Sequence, residues 1–370
     1  MTTKTNKITS TQLCLIFFGV FMSVRPIVEN ALQAKFVGND CILTCVIAGI
    51  VNLAIALLVC FVLNKNPGKS FYDIMTNFLG AGFTKVIMFL LAGVFLFKML
   101  LIDYQMNFLL YDAVYTDINW LLFAVPVAIT ICYVAIKGVK VLARCYQIFI
   151  PFALLIFIVT LVVAFDNASF DNVLPFFSHS QGDFLTALNY ILIQSCEYIF
   201  LFTFMENVSS KDNRYYLKIF ITFLTIFLLV TLFYVLFIAV LGKLAPFVHE
   251  SLITMTQFKD NSFGYFKIDI FTTTFWIPLV VLQNAFCVYS ISYCLNKTFN
   301  INHTLCCVLT VVALFLTHFI PQINNQSVTE FYYNKIGIFV LSFVLILPIL
   351  LLIASFVKPK KKEGKKDAEN

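Results

Sequence analysis

The chain has 370 residues, of which 61% are hydrophobic and only 12% are charged. Soluble domains carry about 25% charged residues, so this composition excludes a soluble globular protein and indicates an integral membrane protein. The net charge of +6 comes largely from the tail "KPKKKEGKKDAEN", so it does not indicate a nucleic-acid-binding domain.

The apolar segments predict ten membrane-spanning helices, because about 20 apolar residues are needed to cross the ~30 Å hydrocarbon core. In chain order the predicted spans are residues 11–36, 39–63, 83–111, 120–136, 141–165, 185–206, 215–241, 269–295, 303–320 and 332–357. They form one predicted transmembrane domain over residues 1–357, followed by a disordered basic tail over 358–370. The loop 242–268 is predicted to contain a short helix that lies on the membrane surface or dips into the membrane.

The positions of Lys and Arg predict the orientation of the spans. Eighteen lie on the side of the two termini and five on the opposite side, while Arg25 and Lys98 lie inside spans. Positive loops stay in the cytoplasm, so both termini are predicted to be cytoplasmic, which requires an even number of spans.

The cysteines, histidines and sequence motifs of this chain show no pattern typical of a catalytic or metal-binding site. The eleven cysteines have no paired spacing and mostly lie in apolar runs, so we interpret them as small buried apolar residues. The four histidines have no metal-ligand spacing, and no nucleotide-binding or nucleophile motif occurs in a usable context. The sequence therefore predicts a protein that is not an enzyme and carries no metal or cofactor.

The spans repeat along the chain. Spans six to ten begin about 174–191 residues after spans one to five. Because five is odd, a second copy of a five-helix unit enters the membrane from the opposite side. The spacing thus predicts an inverted 5+5 repeat, with one copy at about 11–165 and the other at about 185–357, as in many transporters.

The first span contains a charge beside a helix breaker. Arg25 lies about twelve residues from either end of the span, ~18 Å deep at the rise of an α-helix. A charge there costs about 2.5–3.5 kcal/mol unless it has a partner. Pro26 removes a backbone donor and disfavours helical geometry at the residue before it. We therefore predict that the helix unwinds at 22–26 and restarts as a half-helix whose N-terminus attracts anions.

The sixth span has a polar cluster at the corresponding place, 172 residues after Arg25. Because the polar clusters occupy corresponding places in the two repeats, spans one and six are both predicted to be broken. In transporters with inverted repeats, such paired breaks mark the ligand-binding site. The candidate ligand-binding residues are Ser23, Arg25, Pro26, Ser195, Glu197 and Tyr198. Two interpretations stay open, because Arg25 either pairs with Glu29 or Glu197, or receives the carboxylate of a ligand such as an amino acid.

Further polar residues in the spans are candidates for an ion pair or gate, namely Glu29, Lys98 and Asp103. Lys98 and Asp103 are five residues apart and do not share a helix face well, so each is expected to have its own partner. Gln283 and Asn284 in span eight either line the same cavity or form interhelical hydrogen bonds.

Several segments spread over most of the chain together resemble a known family. They are "KITSTQLCLIFFGV", Pro26 and "GNDCIL" near the start, "NPGKSFYDIMTNFLG" after span two, Tyr133, Gly138 and Arg144 in "YVAIKGVKVLARCYQIFIPF", Leu174 and Pro175 in "NVLPFF", Glu197, and Asp269 and Trp276 in "YFKIDIFTTTFWI". In order and spacing they are similar to the GerAB type of spore germination protein, the B subunit of bacterial germinant receptors. That family belongs to the amino acid–polyamine–organocation transporters.

The resemblance implies a LeuT-like fold in the spore inner membrane and a complex with receptor A and C subunits. It implies a receptor subunit that binds a small nutrient, with an amino acid as the expected class. An active amino acid permease and a structural subunit with a closed pocket stay open as alternatives. Membrane lipid is an expected partner and nucleic acid is not.

Overall fold

The computed structural model describes residues 7–23, 26, 29–108, 121–208, 215–248, 251–257, 268–320 and 323–356. Over these residues the fold is almost entirely helical, with fifteen α-helices joined by short 3-10 and π-helical segments. The α-helices are α1 (Ser10–Ser23), α2 (Asn30–Val37), α3 (Cys41–Lys65), α4 (Phe71–Leu79), α5 (Ala81–Phe108), α6 (Leu121–Lys137), α7 (Val139–Asp166), α8 (Gln181–Gln194), α9 (Leu201–Phe204), α10 (Tyr215–Leu241), α11 (Ser251–Gln257), α12 (Ile268–Phe299), α13 (His303–Thr317), α14 (Asn325–Glu330) and α15 (Gly337–Phe356).

The predicted membrane-spanning segments correspond to helices of the structure. Within the described part of the chain, seven helical segments are long and apolar enough to cross a membrane. Three shorter apolar helices, α1, α6 and α13, lie at predicted spans one, four and nine. The all-helical membrane fold is therefore confirmed. The short helix predicted in the loop 242–268 is present as α11, whereas α4 lies in a loop for which no helix was predicted.

Local capping signals set the ends of several helices. At the start of α4, the Ser70 hydroxyl accepts a hydrogen bond from Asp73 N, and the Asp73 carboxylate accepts one from Ser70 N. This capping box satisfies two backbone donors that a helix start leaves free. Ser180 also caps α8, since its hydroxyl accepts a hydrogen bond from Asp183 N. Gly80 ends α4 with a φ of 84°, a conformation that residues with a Cβ rarely adopt.

The spans fall into two groups by their contacts. In the first group, α10 packs against α1 and α3, and α8 packs against α2 and α3. In the second, α12 packs against α5, α6 and α13. The long α7 touches both groups through α1 and α12. The first two spans of each half of the chain thus lie in one group, and the next two in the other.

All eleven cysteines lie in the described part of the chain and are free thiols. Nine are buried and two, Cys132 and Cys145, are partly buried. They fill space between helices, as their apolar surroundings in the sequence predict.

Candidate functional site

The sixth span is broken in its middle. Helix α8 ends at Gln194, and the next two residues, Ser195 and Cys196, lie outside any helix. A 3-10 segment begins at Glu197, and α9 follows at Leu201. Ser195 is fully buried and Cys196 nearly so, so the break is enclosed by protein. Backbone that leaves helical geometry at membrane depth requires such enclosure, because lipid offers no hydrogen bonds.

A lysine from the other helix group lies against this break. Lys98 of α5 donates hydrogen bonds to Glu197 Oε1 at 2.8 Å and to Gln194 O at 2.9 Å. The two charged side chains are only 4% and 5% exposed. One ammonium group therefore neutralises the carboxylate and also satisfies the carbonyl that the end of α8 leaves free.

Other buried hydrogen bonds hold the break in place. Asn52 of α3 donates to Ser195 Oγ at 2.9 Å, and Cys196 Sγ donates to Ile193 O at 3.1 Å. Tyr198 donates from its hydroxyl to Val344 O of α15 at 3.4 Å. The break is thus tied to three other helices, α3, α5 and α15.

The end of α1 is held by the second helix group. Ser23, the last residue of α1, donates from its hydroxyl to Gln283 Oε1 of α12. Its carbonyl accepts a hydrogen bond from the indole of Trp276, also on α12. The next described residue, Pro26, accepts at its carbonyl from Ser251 Oγ of α11 at 2.7 Å. Gln283 therefore forms an interhelical hydrogen bond, which was one of its two predicted roles.

Two fully buried side-chain amides have no hydrogen-bond partner among the described residues. They belong to Asn284 of α12 and Asn30 at the start of α2. Asn284 follows Gln283, whose side chain accepts a hydrogen bond from Ser23 at the end of α1. Unsatisfied buried amides are costly, so each indicates a place where a further polar group can bind.

An aromatic layer lies directly beside the charge pair. Phe95 is one turn from Lys98 on α5, and Phe200 is one turn from Glu197; their ring centroids are 5.0 Å apart. Phe200 stacks on Phe286 of α12 at 4.6 Å. All three rings are at most 1% exposed, so the residues one turn from the ion pair are packed in the apolar core.

A separate polar cluster lies further along α5. Asp103 Oδ2 is 2.6 Å from His318 Nε2, and Asn107 Nδ2 donates to Asp103 Oδ2 at 3.2 Å. The ring of Tyr104 stacks on that of His318 at 4.6 Å. Lys98 and Asp103 thus have separate partners, as their spacing predicts.

The structure gathers only part of the predicted ligand-binding set into one place. Ser195, Glu197 and Tyr198 lie at the break, and Ser23 ends the helix that packs across from it. Arg25 lies outside the described residues, so its pairing with Glu29 or Glu197 stays a prediction. Unwinding at 22–26 also stays a prediction, since most of these residues after Ser23 are outside the described ranges.

Sequence reasoning missed two partners of the break, Lys98 for Glu197 and Asn52 for Ser195. Lys98 precedes Glu197 by 99 residues, and Asn52 precedes Ser195 by 143 residues, so no helical spacing links either pair. The sequence does indicate that Lys98 and Glu197 each need a partner, because charged residues inside apolar spans are rare and energetically unfavourable when unpaired.

Comparison with known proteins bears on the family and the fold. A model of the Spore_permease family, described as spore germination protein, matches residues 7–327. Among solved structures, MhsT in complex with L-phenylalanine has a TM-score of 0.62 at 12% sequence identity, covering 92% of this chain and 97% of that chain. A search of curated proteins gives no match.

A second solved structure has the same architecture. Mhp1, a nucleobase-cation-symport-1 family transporter in a closed conformation with bromovinylhydantoin bound, has a TM-score of 0.52 at 12% identity, covering 94% of this chain and 90% of that chain. At such identities a likeness establishes the fold alone. The predicted LeuT-like fold and the resemblance to spore germination proteins are thereby confirmed.

Proposed function

Because the chain belongs to the family of spore germination proteins, we propose that it is a germinant receptor subunit that binds a small nutrient, with an amino acid as the expected class. The observation that carries the proposal is the enclosed helix break after Gln194, where the Lys98–Glu197 pair joins the two helix groups. A break of this kind offers backbone and side-chain polar groups inside the protein.

The ligand is proposed to lie between the break and the end of α1. Ser195 and Glu197 would form one wall, and Ser23 with its α12 contacts would form the other. The buried amide of Asn284, which has no hydrogen-bond partner within the described ranges, would supply a donor and an acceptor to the ligand. The full proposed set is Ser23, Arg25, Pro26, Ser195, Glu197 and Tyr198, with Glu29, Lys98 and Asp103 as ion-pair or gate residues. The small molecules bound in the MhsT and Mhp1 structures support an organic ligand of similar size.

The proposal includes the organisation and surroundings of the protein. Residues 11–165 and 185–357 would be two inverted copies of a five-span unit, and residues 358–370 a basic cytoplasmic tail. Both termini would face the cytoplasm, and the protein would reside in the spore inner membrane with receptor A and C subunits. The family membership and the Lys and Arg distribution support these assignments.

Germination of spores on single nutrients tests the receptor function. Spores that lack the gene are complemented with the wild-type chain, with Glu197→Gln, or with the control Glu206→Gln. Glu206 is a suitable control because its carboxylate is 34% exposed and lies 3.7 Å from Lys297. We expect at least one nutrient response that requires the wild-type chain, is lost in Glu197→Gln and persists in Glu206→Gln. An undiminished response to every nutrient without the gene would contradict the proposal.

An active permease is the second candidate, because the fold is shared with two transporter structures. Purified protein in liposomes distinguishes the two functions. Accumulation of a labelled nutrient that depends on Glu197 would establish transport, whereas binding without uptake would establish a receptor.

A further inference from the structure

We propose that a groove between α5, α12 and α15 binds one anionic phospholipid. An acyl chain of the lipid lies in the groove, and its headgroup lies beside Lys85 near the start of α5. The residues that line the groove include none of those at the helix break. The inference therefore does not depend on the proposed nutrient binding, because it concerns another surface and another ligand.

The groove has a volume of about 330 Å³, and no polar side chain lines it. Its lining includes Phe89, Gly93 and Phe97 of α5, Ile291 and Leu295 of α12, and Phe339 of α15. Water and polar nutrients lose hydrogen bonds in such surroundings, whereas a hydrocarbon chain has none to lose. The chemistry of the lining therefore selects an apolar occupant.

The groove forms because α5 and α15 pack on different neighbours. Helix α5 contacts chiefly α4, α12 and α14, while α15 contacts chiefly α3, α4 and α8. On the α5 wall a Cβ at Gly93 would meet no atom within 4 Å, so no neighbouring side chain fills this space. Phe89 and Phe339 are each 54% exposed, so the groove opens at the protein surface. In a membrane this surface faces the acyl chains of the bilayer.

The length of the groove along α5 matches the depth of one membrane leaflet. Phe89 and Phe97 follow Lys85 by 4 and 12 residues, which is about 6 and 18 Å at the rise of an α-helix. Half of the ~30 Å hydrocarbon core is about 15 Å. The α5 wall ends at Phe97, whose ring lies 5.8 Å from that of Phe331. An acyl chain whose headgroup lies at the level of Lys85 therefore extends along the groove to its end.

Lys85 supplies the charge that distinguishes between headgroups. Its side chain is exposed, and the ion pairs of the described residues do not include it. Phe89 and Gly93 follow it by four and eight residues, so the ammonium and the groove share one face of α5. One lysine beside an anionic lipid surface favours binding by about fivefold. The site therefore prefers a headgroup with a net negative charge to a zwitterionic headgroup.

Native mass spectrometry of the purified full-length protein tests the inference, because it counts the lipid molecules that stay bound to each copy. The probes are phosphatidylglycerol and phosphatidylcholine with identical oleoyl chains, offered in equal amounts. Lys85→Gln removes the charge, and Gly93→Leu fills the groove. The matched controls are Lys137→Gln and Val162→Phe, since both residues are exposed and neither lines the groove.

We expect wild type to retain one phosphatidylglycerol at least about fivefold more often than phosphatidylcholine. Lys85→Gln should retain the two lipids equally, because it loses only the headgroup contact. Gly93→Leu should retain neither lipid, because its side chain takes the space of the acyl chain. Both controls should behave like wild type.

A second measurement covers the case in which Gly93→Leu does not fold. Phosphatidylglycerol with a diazirine near the end of an acyl chain is photocrosslinked to wild type, and the label is mapped by peptide mass spectrometry. The label should concentrate in the groove segments 89–97 and 291–295. Label spread evenly over other lipid-facing helices such as α7 would overturn the inference.

Three results of the native measurement would also overturn it. The first is equal retention of the two lipids by wild type, and the second is unchanged retention by a folded Gly93→Leu. The third is a wild-type dimer that Gly93→Leu dissociates, because the groove would then hold a second copy of the chain rather than a lipid. None of these results depends on whether a nutrient binds at the helix break.

Discussion

Removing one charge of the Lys98–Glu197 pair should destabilise the protein far more than removing a charge at the surface. Both side chains are at least 95% buried, and Lys98 makes two short hydrogen bonds at 2.8 and 2.9 Å. Loss of one partner from a buried pair leaves an uncompensated charge and costs about 3–5 kcal/mol. We therefore expect Lys98→Met and Glu197→Gln each to lower the free energy of unfolding by about this amount.

The surface pair Lys297–Glu206 supplies the matched comparison. Its atoms are 3.7 Å apart and its side chains are 29% and 34% exposed, so water already screens the attraction. Exposed pairs contribute about 0–1 kcal/mol, and Lys297→Met should lie in that range. The double variant Lys98→Met/Glu197→Gln removes both buried charges and should cost less than the sum of the single variants by about 1–3 kcal/mol.

Unfolding in mixed detergent micelles, followed by tryptophan fluorescence, measures these free energies. Trp276 is 2% exposed and reports on the contact between α1 and α12. Two results would refute the reasoning: a Lys98→Met cost no larger than that of Lys297→Met, or costs of the single variants that simply add in the double variant. Either would mean that the buried charges do not stabilise each other.

Two further substitutions test packing and polar contacts away from the break. Gly19→Ala places a methyl group well inside contact distance of the buried ring of Tyr146, so it should cost about 1–3 kcal/mol in the same unfolding assay. Asp103→Asn removes the charge that His318 contacts at 2.6 Å and should cost about 1.5–3 kcal/mol. In the matched controls, Gly93→Ala meets nothing within 4 Å and Asp171→Asn changes an exposed carboxylate, so neither should destabilise the protein by more than about 0.5 kcal/mol. Equal costs in test and control variants would refute either prediction.

The helical membrane fold could be predicted from the sequence because its main signal is a length. A helix needs about 20 apolar residues to cross the hydrocarbon core. The apolar run at residues 215–241 meets this requirement, and α10 occupies the same residues. Helix α4 was missed because nine residues are too short for that rule. Its signal was instead the capping box at Ser70 and Asp73, which requires attention to local chemistry rather than to hydropathy.

The charged residues of the candidate site could be predicted from the sequence, but their contacts could not. Charged residues inside apolar spans, such as Glu197 and Lys98, can be recognised in the sequence because placing a charge in the membrane has a high free-energy cost. What the sequence lacks is the rule that joins them, because the contact depends on how α5 and α8 pack and not on any spacing along the chain. The neutral residues Asn52 and Asn284 carry less cost and gave a correspondingly weaker signal.

The helix break and the buried carboxylate are stabilised by the same side chain. A helix that ends inside the membrane leaves carbonyls without donors, and a buried carboxylate lacks a counter-charge. The ammonium of Lys98 donates a hydrogen bond to the carbonyl Gln194 O and pairs with the carboxylate at Glu197 Oε1. Because Lys98 belongs to the other helix group, the geometry of the break and the relative position of the two groups are coupled. A ligand that rearranges the break must change the hydrogen bonds of Lys98, and α5 with the helices packed on it must respond.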